Sequence, residues 1–298
     1  MLYKPVTSAT IKMNRLFNLV FGAILVAGLV LISQHSFANM GMEPWGIDLQ
    51  HSASPIKDRI HDFHTLLLWV ISAIVALVMV LMLVIMVRFN AKANPTPSKT
   101  THNFLLEVIW TALPVVILIA IAIPSIQLLY YEDRTIDADM TIKVEGRQWY
   151  WNYTYLSDEE GEDLQFDAYL IPEKDIDTSK GQMRLLSTDN QLVLPIDTDI
   201  EILVTAGAED VLHSYAMPAF GIKMDAVPGR MNHTWVRISK EGRYYGQCSE
   251  LCGQGHAYMP SEVVAVSKEE YAAWLDAAKN GTVAYDEFKA GYDLANAQ

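Results

Sequence analysis

The chain has 298 residues, 51% of them hydrophobic, with a positive mean hydropathy, a pI near 5.0 and a formal net charge of −13. That combination excludes a small soluble domain and a disordered tail. Charge is segregated: residues 1–131 hold 8 Lys and Arg against 5 Asp and Glu, and residues 132–298 hold 14 against 30. A strongly acidic back half argues against a nucleic-acid partner and for a cationic one, or for simple solubility.

The first apolar segment has Lys12 and Arg15 ahead of an apolar run over residues 19–32, followed by Ser36-Phe37-Ala38. Basic, apolar and small-residue regions in that order predict a signal peptide over residues 1–38, cut after Ala38. The second segment, 65–87, contains no charge, and 23 helical residues reach about 35 Å, enough to cross a bilayer. The third, 108–131, is of similar length and carries Pro114 and Pro124, which packed membrane helices tolerate. The loop between them holds Arg88, Lys92 and Lys99, which places it in the cytoplasm and both ends of the hairpin outside. The exported N-terminus demands the same topology.

Beyond Tyr131 come short β-branched and aromatic runs, "MTIKVEGRQWYWNYTY", "QLVLPI", "EILVTA", "HTWVRIS" and "EVVAVS", separated by Asp, Gly and Pro. They predict an antiparallel β-barrel or sandwich over 132–280. One helix is expected after the last strand, where Ser267 and Glu270 read as a capping box ahead of "EEYAAWLDAAKN". Residues 281–298 read as a polar tail.

The two cysteines stand in "CSELCGQGHAYMP", with Cys248, Cys252, His256 and Met259 at intervals of four, four and three. Thiolate and thioether beside imidazole select a soft metal. Zinc, a disulfide, a redox dithiol and copper all remain open on spacing alone. A copper electron-transfer site needs one more histidine from an earlier strand, and the exported half offers His213 and His233. His213 is favoured by its context, "EDVLHSYAMPAFGIKMD", beside small and turn-forming residues.

Two spans followed by a barrel carrying "QWYWNY", "DVLHSYAMPAFGIKMDAVPGR" and "CSELCGQGHAYMP" resemble subunit II of the haem-copper cytochrome c oxidases, from about residue 45 to 280. The resemblance implies a two-helix hairpin followed by a cupredoxin-like Greek-key barrel that bears a dinuclear copper centre, CuA. It implies that Cys248 and Cys252 bridge the coppers, that His213 and His256 bind one each, and that Met259 and the Glu250 carbonyl are weak ligands. Trp149 then receives the electron from cytochrome c, and Glu107 marks the mouth of a proton path. The Glu250 carboxylate holds magnesium or manganese at the boundary with the catalytic subunit I. Subunits I and III, cytochrome c and the lipid bilayer are the implied partners, in a bacterial inner membrane with the barrel on the periplasmic side. The acidic excess gains a reason in a basic cytochrome, with Asp210, Asp158 and Glu159 as candidate docking charges. No C-x-x-C-H motif for covalent haem occurs, so this chain is expected to bind no haem. His61 and His64 read as interfacial. The competing class is a membrane-anchored copper chaperone or thiol oxidoreductase of the Sco type, which also combines C-x-x-x-C with a remote histidine.

Overall fold

A computed structural model describes residues 45–157 and 162–296. The signal peptide expected over 1–38, and Asp158 and Glu159, lie outside the described residues.

Helix α1 (Pro55–Arg88) starts where the Ser54 side chain accepts from Lys57 N and Pro55 takes the first helical position. It is longer than the apolar span because the polar stretch 55–64 continues the same helix ahead of it. Helix α2 (Phe104–Glu132) starts at Asn103, whose side chain accepts from Leu106 N, and runs through Pro114 and Pro124. Both helices are long and apolar enough to cross a membrane. Their apolar side chains are exposed almost all round, as a lipid-facing surface requires. The two run antiparallel, since Arg59 near the start of α1 lies over the ring of Tyr131 at the end of α2.

The start of α1 is bonded to the β domain: Ala53 N donates to Ala219 O at 3.0 Å and Ser54 Oγ to Phe220 O at 2.6 Å. The end of α2 is held through Trp235 Nε1, which donates to Tyr131 O at 3.3 Å. Both outer ends of the hairpin are therefore fixed to the barrel, and the 89–103 loop lies at its other end.

Among the described residues ten strands form the barrel: β1 (Met140–Arg147), β2 (Tyr150–Tyr155), β3 (Leu164–Ala168), β4 (Leu192–Pro195), β5 (Ile200–Ala206), β6 (His213–Met217), β7 (Ile222–Ala226), β8 (Asn232–Val236), β9 (Gly242–Cys248) and β10 (Pro260–Val266). They make two five-stranded sheets, in the orders β3-β2-β1-β5-β8 and β4-β10-β9-β6-β7. The architecture is the two-sheet fold expected, with one refinement. Each sheet contains a parallel pair, β1 with β5 and β4 with β10, because the crossovers bring strands distant in sequence side by side.

The run "MTIKVEGRQWYWNYTY", which reads as a single strand, turns at Gln148 and Trp149 and pairs with itself, Arg147 opposite Tyr150. Between the sheets lie Ile142, Val144, Trp151, Tyr153, Val204, Tyr215, Met217 and Val263, all essentially without solvent access. The buried hydroxyls and indole are satisfied: Tyr153 and Tyr215 meet at Ser261 Oγ, at 2.8 and 3.1 Å, and Trp151 Nε1 donates to Met259 O at 3.1 Å.

Helix α3 (Lys268–Lys279) begins as expected, with Ser267 Oγ accepting from Glu270 N. The capping box is only half made. The Glu270 carboxylate instead accepts from Tyr285 OH at 2.5 Å and Lys289 Nζ at 2.8 Å, both on a further helix, α4 (Tyr285–Asn296). The stretch read as a polar tail thus carries a helix, with Tyr285 and Phe288 buried against the barrel.

Candidate metal and electron-transfer site

Strand pairing assembles the ligands. Strands β6 and β9 are antiparallel with Tyr215 opposite Cys248, which brings His213, at the start of β6, next to the end of β9. Ser249 N donates to Ser214 O at 2.9 Å and fixes where the chain leaves the sheet. The 249–259 loop then carries the other donors and returns to β10 through a 3-10 turn at His256–Tyr258.

Cys248 Sγ and Cys252 Sγ are 3.8 Å apart and free, far beyond the disulfide length of about 2.05 Å. His213 Nδ1 lies 3.9 Å from Cys248 Sγ, and His256 Nδ1 lies 3.6 Å from Cys252 Sγ. Met259 Sδ is 3.5 Å from Cys252 Sγ, and the Glu250 carbonyl oxygen is 3.3 Å from Cys248 Sγ. One imidazole therefore accompanies each sulfur, with one weak donor per sulfur. The ligand atoms of His213, Cys248 and Cys252 all fall within 4.8 Å of one another. Both cysteines, Met259 and His213 are buried, and the Glu250 side chain is exposed.

The two thiols differ sharply in proton affinity. Burial pushes the Cys248 thiol up, but hydrogen bonds at His213, the Glu250 and Ser214 backbone and His256 outweigh it and bring it down to about 6. Burial, together with the charge of Cys248, pushes Cys252 up to about 12. Burial disfavours a charged His213, but its contacts with Cys248 and Asp210 outweigh that and raise its proton affinity. A soft positive ion would relieve the repulsion between two adjacent thiolates. Two sulfurs, two imidazoles, a thioether and a carbonyl are a donor set that fits copper. Zinc is a poorer match, because a thioether is a weak zinc ligand.

Around the ligands stands a supporting shell. Gly146 on β1 is required by His213, since a Cβ there would come within 2.9 Å of its Cβ, Cγ and Cδ2. Asp210 is largely enclosed: Oδ2 accepts from Gln148 N at 3.2 Å, and Oδ1 accepts from Val211 N at 2.8 Å and lies 3.3 Å from His213 Nε2. The Trp149 indole lies on the ligand loop. Its Nε1 donates to Cys252 O at 3.0 Å, and a Cβ on Gly255 would stand 2.7 Å from Trp149 Cβ. Gln148 Nε2 donates to the same carbonyl at 3.3 Å.

Of the residues singled out in the sequence, the structure brings together His213, Cys248, Glu250, Cys252, His256, Met259, Trp149 and Asp210. His233 lies on β8, in the other sheet. Glu107 is in the first turn of α2, at the loop end of the hairpin, where its carboxylate accepts from Asn103 N at 3.2 Å and lies 3.7 Å from His102 Nδ1. His61 and His64 contact Gln50 O and Asp48 on the segment before α1.

Gln148 and the ring pair Tyr150 and Tyr169 escaped the sequence reading. Tyr150 is half-buried beside Trp149 and packs on exposed Tyr169, centroids 4.6 Å apart, with Tyr169 OH donating to Asp167. Tyr169 lies in a separate strand exit, and nothing in its local sequence signals the pairing. A Sco-type protein would place the cysteine motif before most of a thioredoxin-like fold, whereas here it begins at the end of the ninth strand of a two-sheet barrel.

Comparison with known proteins covers most of the chain. The family described as "Cytochrome C oxidase subunit II, periplasmic domain" matches residues 140–266, and "Cytochrome C oxidase subunit II, transmembrane domain" matches residues 42–128. The chain is 45% identical over 264 residues to a probable cytochrome c oxidase subunit 2 of Rickettsia bellii, covering 89% of this chain and 95% of that one. It is 44% identical over 238 residues to cytochrome c oxidase subunit 2 of Zea mays, covering 78% and 89%. Among solved structures, the periplasmic domain of subunit II (CoxB) of Bradyrhizobium japonicum is 44% identical, covers 49% of this chain and 98% of its own, and superposes with a TM-score of 0.44. With hairpin and barrel both matched, and nearly the full length of a relative covered, the chain belongs to the cytochrome c oxidase subunit II family.

Proposed function

We propose that this subunit accepts electrons from cytochrome c at a dinuclear CuA centre and delivers them to the haem-copper catalytic subunit I for proton-pumping oxygen reduction. The observation that carries the reading is the pair of free sulfurs 3.8 Å apart with a separate imidazole at each. Cys248 and Cys252 would bridge the metals, His213 and His256 would hold one each, and Met259 Sδ and the Glu250 carbonyl would be the weak donors. Bound there, the copper pair supplies a one-electron store whose charge is shared between two metals.

The chain's own residues do the rest. The barrel buries the sulfurs and keeps water from them. Trp149, hydrogen-bonded to Cys252 O, is the route by which the electron reaches the ligand loop from outside. The Tyr150 and Tyr169 rings with Asp167 lie beside it as an aromatic and acidic landing surface for a basic cytochrome c, in a half of the chain with a large acidic excess. Asp158 and Glu159 belong to the same proposal as docking charges. Asp210 is better suited to hold His213, since backbone N–H groups and the imidazole already engage its oxygens.

Glu107, at the loop end of the hairpin, is the proposed mouth of a proton path continuing into subunit I. The exposed Glu250 carboxylate is the proposed ligand for magnesium or manganese shared with that subunit, and subunit III completes the complex. The proposed setting is a bacterial inner membrane, with the signal peptide 1–38 removed, residues 39–131 forming the N-terminal segment and hairpin, and the copper domain 132–280 and residues 281–298 in the periplasm.

Copper stoichiometry and electron paramagnetic resonance on the full chain test the reading. Two coppers sharing one unpaired electron are expected. A single copper, zinc, or a quantitative disulfide between Cys248 and Cys252 in the mature complex would overturn it.

A further inference from the structure

At the junction of hairpin and barrel, two guanidinium groups from different helix ends converge on one ring. Arg59 Cζ lies 3.5 Å from the centroid of Tyr131, and Arg134 Cζ lies 4.2 Å from it. Arg134 also covers Trp235, 4.3 Å from its centroid, and Trp235 meets Tyr131 edge to face at 5.5 Å. Trp235 is buried, whereas both arginines are exposed.

A guanidinium over an aromatic ring can still offer its N–H groups to an anion. Among the described residues, neither Arg59 nor Arg134 has a carboxylate oxygen within 4.0 Å of its nitrogens, although Asp58, Glu132 and Asp133 adjoin them in sequence. The negative end of α2 explains a cation at position 134. It does not explain a second one brought from α1 to the same ring.

The depth of the pair suggests what it meets. Arg59 stands six helical residues before the apolar span that starts at Thr65, about 9 Å along the axis at about 1.5 Å per residue. Tyr131 ends the apolar run of α2. That level is the headgroup layer, just outside a hydrocarbon core of about 30 Å. Aromatic residues at that level are common membrane anchors.

We propose that Arg59 and Arg134, both over the ring of Tyr131, form a binding site for the phosphate of an anionic lipid in the leaflet on the barrel side. The planar forks suit phosphate oxygens, and the ring contacts fix both forks before the lipid arrives. Bound there, the lipid would join the two helix ends to the barrel through Trp235.

The test uses the whole oxidase complex in phosphatidylcholine nanodiscs doped with a headgroup-photoreactive phosphatidylglycerol or its phosphatidylcholine counterpart. The readout is label on the peptides of this chain that contain Arg59 and Arg134. The phosphatidylglycerol probe is expected to label them in preference, and R59Q or R134Q to lower that preference by about fivefold each, the effect of one basic residue at a membrane surface. K240Q, which removes an exposed cation on the barrel, should leave it unchanged. Should R59Q fail to assemble, R59K keeps the charge but loses the flat fork, and is expected to give a smaller fall. Equal labelling by the two probes, or undiminished preference in the double variant, overturns the proposal. Loss of labelling on adding millimolar inorganic phosphate would assign the arginines to a soluble anion and overturn the lipid source.

Discussion

Trp149 Nε1 donates to the carbonyl oxygen of Cys252 at 3.0 Å, so the half-buried indole and one of the two candidate bridging sulfurs are tied to the same residue. The ring also lies against Gly255, where a Cβ would crowd it. Two variants separate the ring from its seat. In W149A the ring and the hydrogen bond both go, and reduction of the oxidase by cytochrome c in stopped flow should slow by more than about tenfold, equivalent to roughly 1.4 kcal/mol of barrier. In G255A the ring stays but is pushed off the loop. Thermal stability should fall by roughly 1–3 kcal/mol from overpacking, with copper retained and reduction slowed. Unchanged reduction in both variants would remove Trp149 from the electron's route.

Asp210 ties His213 to the turn that carries Trp149, through His213 Nε2 on one oxygen and Gln148 N on the other. A carboxylate behind a ligating imidazole fixes its ring orientation, and losing such a partner commonly costs about 10–100-fold in metal affinity. D210N keeps the shape but turns an acceptor into a donor, and is expected to lose copper in chelator competition by a factor in that range. If copper affinity and spectrum are unchanged while the KM for cytochrome c alone rises, Asp210 is a docking charge.

The candidate ligand set was legible because soft donors cluster at short intervals in "CSELCGQGHAYM", and local context together with the family resemblance pointed to His213 as their partner. What spacing could not give was the β6 and β9 register that places His213 beside Cys248. The roles of Asp210 and Gln148 were hidden for the same reason: their partners lie 62 and 104 residues away. The hairpin was legible from charge-free length. Its extra turns at 55–64 were not, because a helix that leaves the membrane loses the apolar signal. Strands β1, β2, β4, β5, β8 and β10 followed from short β-branched and aromatic runs, whereas β3, β6, β7 and β9 carry no such run, and the parallel pairs depend on crossovers that no local pattern encodes. Helix α4 was present in the spacing of Tyr285, Phe288 and Tyr292. Low hydropathy and Gly291 masked it.

Arg243 bridges the barrel to α4, with one nitrogen 2.6 Å from Glu262 and another on Asp286. Glu262 has no solvent access, and its second oxygen accepts from Thr188 N at 2.9 Å. R243M would leave that carboxylate buried without a counter-charge. The expected loss is roughly 3–5 kcal/mol in thermal or denaturant unfolding. The double variant R243M/E262M, which removes both charges, should recover most of it. D286N should cost about 1 kcal/mol, with faster amide exchange confined to α4. Equal losses in the single and double variants would mean that packing, and not charge, holds the helix.

Glu145 sets a different dependence, on acid. Burial works against its charge, but Lys143, at 2.7 Å, and Arg147 outweigh burial and hold the carboxyl below its ordinary value. A carboxyl with a depressed folded-state pKa binds its proton more weakly when folded than when unfolded. Its contribution to stability is therefore complete above the unfolded value of about 4.3 and is lost as pH falls through the lower folded value. E145Q should destabilise the protein by roughly 1–2 kcal/mol near neutral pH through loss of charged hydrogen bonds. The gap between the variant and the parent should close as pH drops below about 4. Unfolding curves collected from pH 7 downward check this, and a gap that stays constant to the acid limit would show that Glu145 acts there by shape alone. Because Glu145 precedes Gly146, on which His213 rests, the same acid range should loosen the copper ligands while the sulfurs remain buried, giving copper release in E145Q at higher pH than in the parent.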